Sequence, residues 1–289
     1  MRKKPIKIKN NILKKVYKIR SKKSHKGDYG KLLIIGGNEK YTGAPVLNSL
    51  SAISAYKTGT DIVELIAPKR AADIAAGFSP DIITYPLTGR YISKRHLNKI
   101  LEETKDKTAF VIGGGIGKKQ ETLNTIREFL SKVSIKGVID AEAIHSISPE
   151  KIKNKKTDLS KFIITPHEKE FEILTGKKIL KDFSLKKKIA LIQQQAKKLN
   201  TTILLKGPTD IISDGEKTAI NKTGNPYMTK AGTGDVLAGI IGSLIAQKNS
   251  LFDSACAGAY INGKSAEKTK KKISLTASDL IKSIEKIVG

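Results

Sequence analysis

From Lys31 to Lys206 the chain alternates short runs rich in Ile, Val and Leu with segments of helical periodicity, and this alternation limits the possible folds more than any other feature. Strands are predicted at 31–35, 62–67, 82–85, 109–112, 138–140, 162–165 and 202–206, and helices at 44–57, 93–103, 120–130, 168–174 and 185–199. Pro45 suits the first turn of the first of these helices. Runs at 210–213 and 218–221 flank Asp214-Gly215, a hairpin signal. The last third reads as helices at 235–246, 251–270 and 277–287. Strand–helix alternation of this length implies an α/β fold with a mainly parallel sheet and helices on both faces. In such sheets ligands bind beyond the carboxyl ends of the strands. Gly36-Gly37, the glycine loop from Gly113 to Gly117, Asp140, Thr165-Pro166-His167 and Lys206-Gly207 each follow a predicted strand.

No polar linker divides the 289 residues, so one domain is expected over 20–289, preceded by a basic arm at 1–19. Ile6, Ile8, Ile12, Leu13 and Val16 give that arm a weak amphipathic pattern. Cys256, the single cysteine, excludes an intrachain disulfide; set among alanines, it reads as a small buried apolar residue. No apolar run reaches the roughly 20 residues that cross a bilayer, and no signal-peptide core follows the basic start, so a cytoplasmic location is expected.

A net charge of +27 invites a nucleic-acid reading. The kind of cation argues against it. Only Arg2, Arg20, Arg70, Arg90, Arg95 and Arg127 among the 54 basic residues are arginine, the type that carries most bidentate base and phosphate recognition. The lysines are spread along the chain without interleaved aromatics for base stacking. They read as a solvated surface that would still draw in a substrate carrying several phosphates.

The chemistry concentrates in Asn225-Pro226-Tyr227-Met228-Thr229-Lys230-Ala231-Gly232-Thr233-Gly234-Asp235-Val236-Leu237-Ala238-Gly239. A Gly-Thr-Gly turn precedes a carboxylate and an apolar helix. A helix N-terminus offers unpaired N–H groups and partial positive charge, and Gly232 and Gly234 let main chain approach a phosphate. Gly232, Thr233 and Gly234 are thus candidates for an anion hole. Asp235, in the first turn, is placed to take a proton from a hydroxyl attacking that phosphate. The bland reading makes Asp235 a helix N-cap and no more. Walker A spacing and Gly-x-Gly-x-x-Gly are both missing from Gly113-Gly114-Gly115-Ile116-Gly117-Lys118-Lys119, so a dinucleotide-binding dehydrogenase is unsupported. In Thr165-Pro166-His167-Glu168-Lys169-Glu170, the proline opens a helix that puts His167 and Glu170 on one face. Lys206-Gly207-Pro208-Thr209-Asp210 sets a cation beside an unobstructed backbone.

These motifs, in this order, resemble the ribokinase-like superfamily, and the Asn-Pro-x-Met form resembles its ADP-dependent NAD(P)H-hydrate dehydratase branch. The resemblance runs from about residue 20 to the end and takes in Lys26-Gly27-Asp28-Tyr29-Gly30 and Tyr41-Thr42-Gly43-Ala44-Pro45. It implies a ribokinase-like single domain that restores NADH and NADPH from their hydrates (NADHX and NADPHX), with ADP giving AMP and phosphate. By the same likeness Asp235 is the base, and Ala44, Gly117, His167 and Asp235 face the hydrate. Lys206, Gly207, Pro208, Thr209, Asp210 and Gly234 line the nucleotide, and Glu170 helps to hold Mg2+. Glu168-Lys169 replaces the Pro-Gly of many relatives, which leaves the local backbone open. Relatives also imply a homo-oligomer, a tetramer, and a separate NAD(P)HX epimerase; nothing in this sequence is long enough to be an epimerase domain. Two other readings stay open: a ribokinase-like kinase for a vitamin precursor of the hydroxyethylthiazole or hydroxymethylpyrimidine type, and a non-catalytic nucleic-acid binder.

Overall fold

The computed structural model describes residues 4–39, 44–152 and 157–289. The chain enters through β1 (Ile6–Lys7) and α1 (Asn11–Val16). It then alternates β2 (Lys31–Ile35), α2 (Ala44–Lys57), β3 (Ile62–Pro68), α3 (Lys69–Ala76), β4 (Ile83–Leu87) and α4 (Leu97–Glu103). Next come β5 (Ala109–Ile112), α5 (Gln120–Lys132), β6 (Lys136–Ile139), α6 (Pro149–Ile152), β7 (Phe162–Ile164), α7 (Glu168–Thr175), α8 (Leu185–Leu199) and β8 (Thr202–Leu205). The hairpin β9 (Asp210–Ser213) and β10 (Thr218–Asn221) leads to α9 (Thr233–Ala246), α10 (Leu251–Lys268) and α11 (Ala277–Val288).

Among the described residues ten strands make one sheet in the order β1-β10-β9-β8-β7-β6-β5-β2-β3-β4. Every neighbouring pair is parallel except those of β9, which runs against both β8 and β10. The reason is connection length: a tight Asp214-Gly215 turn can join only antiparallel strands, whereas each helical crossover returns the chain parallel. Successive side chains of a strand point to opposite faces, so Leu32 and Ile34 join one apolar layer and Leu33 and Ile35 the other. The first layer holds α2, α9, α10 and α11; in the second, Phe110 meets Phe129 and Phe162 edge-on, with ring centres 5.2 and 5.6 Å away. The mainly parallel α/β sheet with two covered faces is the architecture that the alternation predicts.

Three elements go beyond that reading. The segment set apart as an N-terminal arm lies against the sheet: Ile6 pairs with Ala219 of β10, and α1 buries Ile12 and Val16 in the first layer. Helix α3 escapes prediction because its core face is three alanines, Ala71, Ala72 and Ala75, too small to mark a stripe. The helix predicted at 93–103 begins as a 3-10 turn, Lys94–His96, because the buried His96 side chain caps the Ser93 N–H. Cys256 is buried in the first layer, and its burial pushes the thiol well above its ordinary range.

One packing contact positions the site. A methyl group on Gly239 of α9 would run into the backbone carbonyl of Ser51 on α2. Eight residues further along α9, Gln247 donates to the Thr58 carbonyl (2.9 Å), just past the end of α2. The contacts advance in step, so the two helices run parallel and their N-termini open at one end. Helix α2 starts at the carboxyl end of β2, and α9 therefore opens over that same edge of the sheet.

Candidate active site

Three neighbouring parallel strands deliver the charged groups. Asp140 follows β6, Thr165-Pro166-His167 follows β7, and Lys206 follows β8. Backbone bonds extend the ladder one residue past the strands, with Asp140 N to Ile112 O at 3.0 Å and Lys206 N to Pro166 O at 2.9 Å. The Lys206 ammonium donates to Asp140 Oδ1 (2.8 Å) and lies 3.7 Å from Glu170 Oε2. Thr165 Oγ1 donates to the same Asp140 oxygen (2.7 Å). Burial pulls the ammonium down, but the Asp140, Glu170 and Asp235 carboxylates outweigh it and hold Lys206 above its ordinary value.

Helix α9 opens onto this pair. Its N-cap is Gly232, in the left-handed region at φ 90°, so Asp235 is the third helical residue and not the cap. That removes the bland cap reading of Asp235. The Thr233 hydroxyl is turned back on its own loop, 2.8 Å from the Met228 carbonyl and 3.0 Å from that of Lys230. A methyl group on Gly234 would stand 3.6 Å from Lys206 Nζ and 3.8 Å from Asp140 Oδ2. Glycine there leaves room for one small group between the helix start and the ion pair. First-turn N–H groups have no intrahelical acceptor, so what enters that room is best an anion. Burial and then the neighbouring Asp140 push Asp235 up to about 7, with Lys206 pulling the other way and Glu142 adding to the rise. A carboxyl poised near neutrality is what proton abstraction from a hydroxyl requires.

The turn after β6 carries Asp140, which the sequence reading placed at a strand end, and Glu142, to which it gave no role. Between Asp140 and Glu142, Ala141 holds φ 48°, a strained conformation for alanine. Gly113, at φ 138°, is obligatory beside it, because a methyl there would run into the Asp140 carbonyl. Burial raises Glu142, which also feels Lys118 of the glycine loop and the Asp140 and Glu170 carboxylates. Asp140 was visible as a carboxylate at a strand end; Glu142, on a 3-10 turn (Ala141–Ile147), had no signal.

His167 and Glu170 meet as a reciprocal cap. His167 Nδ1 accepts from the N–H groups of Lys169 (3.1 Å) and Glu170 (3.3 Å), and Glu170 Oε2 accepts from the His167 N–H (2.8 Å). Because Nδ1 accepts, the neutral ring carries its proton on Nε2, on a side chain that is half exposed. Removing an N-cap costs about 1 kcal/mol, and Asn caps well. We therefore expect His167→Ala to lower unfolding free energy by about that much in urea titrations and His167→Asn to keep it. Equal losses would mean that the cap contributes nothing.

At the start of β9, Asp210 braces the loop after β8: Oδ1 accepts from the Gly207 N–H (3.1 Å) and Oδ2 from Asn221 Nδ2 (3.0 Å). Its burial pushes the carboxyl up to about 6. Gly207 and Pro208 form the exposed tip, and Thr209 is partly buried. Ala44 opens α2, while Tyr41-Thr42-Gly43 lie outside the described residues. Gly117 is buried at φ 76°, next to Lys118. The structure thus gathers Lys206, Glu170, Gly234 and Asp235 around Asp140, with His167 joined to them through Glu170. Ala44, Gly117 and the Gly207-Pro208 tip stand at the same edge of the sheet, outside the ion-pair cluster.

Among the described residues no group of three or more His, Cys, Asp or Glu side chains is arranged to hold a metal. A site for Mg2+ needs fewer, since that ion binds through one or two carboxylates and takes its remaining ligands from phosphates and water. Glu170 is one such oxygen donor.

The solved structures place the fold in the ribokinase-like class. The ADP/ATP-dependent NAD(P)H-hydrate dehydratase of Bacillus subtilis, co-crystallised with ATP and Mg2+, superposes with a TM-score of 0.81 at 23% identity, covering 98% of this chain and 97% of that one. A family model described as NAD(P)H-hydrate dehydratase matches residues 32–287, and the chain belongs to that family. It is 36% identical over 269 residues to the bifunctional NAD(P)H-hydrate repair enzyme of Pyrobaculum aerophilum, covering 92% of this chain and 52% of that protein. It is 33% identical to the ADP-dependent (S)-NAD(P)H-hydrate dehydratase of Nitrosopumilus maritimus, covering 96% and 94%. The chain spans about half the length of the bifunctional relatives.

Proposed function

We propose that this chain dehydrates NADHX and NADPHX to NADH and NADPH at the expense of ADP. The observation that carries the reading is Asp235, poised near neutrality at the opening of α9, beside the Lys206–Asp140 pair. Water is a poor leaving group from the hydrated ring and phosphate a good one. Asp235 takes the proton of the ring hydroxyl as its oxygen attacks the β-phosphorus of ADP, and AMP departs with the bridging oxygen. The C–O bond of the new phosphate ester then breaks, the neighbouring ring position gives up a proton, and the conjugated dihydropyridine returns. In this reading the main-chain N–H groups of Gly232 and Gly234, and that of Thr233 once it leaves the Lys230 carbonyl (3.5 Å), meet the charge on the moving phosphoryl group, and Lys206 follows it. Bound Mg2+ would neutralise phosphate charge, with Glu170 as its protein ligand. His167, through its Nε2 proton, and Ala44 and Gly117 hold the hydrate. Gly207, Pro208, Thr209 and Asp210 shape the nucleotide side.

The nearly full-length match to a single-function dehydratase supports this reading over a vitamin-precursor kinase. A homo-tetramer, a cytoplasmic location and a separate epimerase that supplies the correct hydrate epimer complete the proposal. Among the described residues no helix is long and apolar enough to cross a membrane. Incubation of the protein with hydrated NADH and either ADP or ATP, followed by the reduced-nicotinamide absorbance, tests the reaction. Recovery with ADP is expected, and no recovery with either nucleotide would sink it.

The exposed tip offers a finer check. A methyl group on Gly207 meets nothing nearer than the Thr209 carbonyl at 3.6 Å, so Gly207→Ala should leave Tm unchanged. Gly207→Val should raise the ADP KM several-fold more than Gly207→Ala, because a branched side chain blocks approach to the backbone. Similar effects on the hydrate KM would move the nucleotide elsewhere.

A further inference from the structure

A cavity of about 390 Å³ opens beyond β4, lined by Gly89, Arg90, Tyr91, Ser93, Arg95 and Glu121. It holds two of the six arginines of a chain that otherwise uses lysine. We infer that this cavity binds the phosphate-bearing adenosine half of the dinucleotide hydrate, an assignment that rests on the function proposed above.

The loop is built around Arg95. The buried His96 ring takes the Ser93 N–H on Nδ1 (3.0 Å) and gives its Nε2 proton to the Thr88 carbonyl (2.9 Å). Arg95 Nη2 donates to that same carbonyl (2.8 Å), and a methyl group on Gly89 would strike the guanidinium. Thr122 ties the loop to α5 by donating to the Ile92 carbonyl (2.7 Å). Arg95 is therefore held in place, with Nη1 free of partners among the described residues. Arg90 reaches Glu39 (2.9 Å), in the loop that leads to α2, and Lys119 Nζ stands 3.8 Å from the centre of the Tyr91 ring. The lining holds two cations, Arg90 and Arg95, against one carboxylate, Glu121; Glu39 and Lys119, which touch Arg90 and Tyr91 from outside it, add one charge of each sign, so the surroundings are net positive. A fixed guanidinium beside an aromatic ring suits a phosphate attached to a nucleoside.

Length assigns the cavity to the hydrate and not to ADP. Strands sit about 4.8 Å apart, so β4 is about 19 Å from β6, whose Asp140 meets Lys206 and borders Asp235. A dinucleotide with its ring at Asp235 carries a second nucleoside across that span, whereas ADP with its phosphates at Lys206 has only one, which the Gly207–Asp210 loop takes up on the β8 side. In the proposed reaction both intervening loops serve the substrate side: Lys119 follows Gly117 by two residues, and Glu39 precedes Ala44 by five.

Calorimetry tests this without relying on turnover. ADP-ribose and its 2′-phosphate derivative are titrated into the protein saturated with ADP, so that the donor site is filled, and into Arg90→Met, Arg95→Met and Arg95→Lys. Binding to the parent chain and at least about a tenfold weakening in both Met variants is expected, the worth of one charge-assisted contact, with Arg95→Lys between. A loss confined to the 2′-phosphate probe places that group at the arginines, and an equal loss for both probes places the pyrophosphate there; either supports the inference. No binding to the parent chain, or equal binding by all variants, overturns it. A dehydratase assay that fails while this binding persists removes the proposed reaction, and with it the hydrate, and leaves a site for the adenosine half of a dinucleotide; an active enzyme without this binding removes the cavity assignment alone.

Discussion

Asp235→Asn is expected to fold, to bind ADP and hydrate at near parental affinity, and to lose at least about a hundredfold in kcat, the low end for removing a general base. The substitution keeps size and the helix position, since Gly232 and not Asp235 caps α9. It removes only the group that accepts the proton. With the carboxyl pushed up to about 7, kcat/KM of the parent enzyme should fall on the acid side of neutrality, and that limb should vanish in the variant. Stability adds a second readout. The folded pKa lies above the unfolded one, so between about pH 4 and pH 7 the native state binds the extra proton, and stability falls as pH rises through that window. Asp235→Asn escapes this loss. It should be more stable than the parent at pH 8 by on the order of 1 kcal/mol, discounted because the carboxylate keeps some solvent contact, with the difference closing towards pH 4. Near-normal turnover would end the case for Asp235 as the base, whatever the melting curves show.

The sheet was legible because its strands are β-branched runs ended by glycine or a charged residue, and because Asp214-Gly215 specifies one turn. Helix α3 was not, since alanine gives helical propensity without a stripe, and β1 was not, since two exposed residues at a sheet edge carry no pattern. At the site, local signals were the readable ones. Gly232 and Gly234 announce a helix start that tolerates an anion, and Pro166 announces the helix whose first turn joins His167 to Glu170. Distance along the chain hid the rest. Asp140 and Lys206 are 66 residues apart and meet only because β6, β7 and β8 lie side by side. Glu142 depends on the positive φ of Ala141, which no alanine announces. The cavity beyond β4 rests on His96, whose capping of its own loop looks in sequence like any lone histidine.

Lys206→Met should give a large loss of stability. Its ammonium is the common partner of Asp140 and Glu170 and lies within the field of Asp235. Asp140 is 5% exposed, so deleting the cation strands a buried carboxylate among others. Breaking such a pair from one side costs about 3–5 kcal/mol, whereas replacing both partners is often nearly neutral. The single variant should lose about 3 kcal/mol in urea titrations at pH 7.5, and Lys206→Met with Asp140→Asn should recover at least half of it. The loss should shrink at pH 5. Lys206 pulls Asp235 down, so without the ammonium Asp235 takes its proton at higher pH, and the native variant gains stability as pH falls. In the rescued double variant ADP should still bind more weakly than in the parent, because Lys206 is the cation that meets its phosphates. A single variant as stable as the parent at pH 7.5 would mean that the Lys206–Asp140 pair contributes no net stability, and the charge balance at the centre of the site would have to be redrawn.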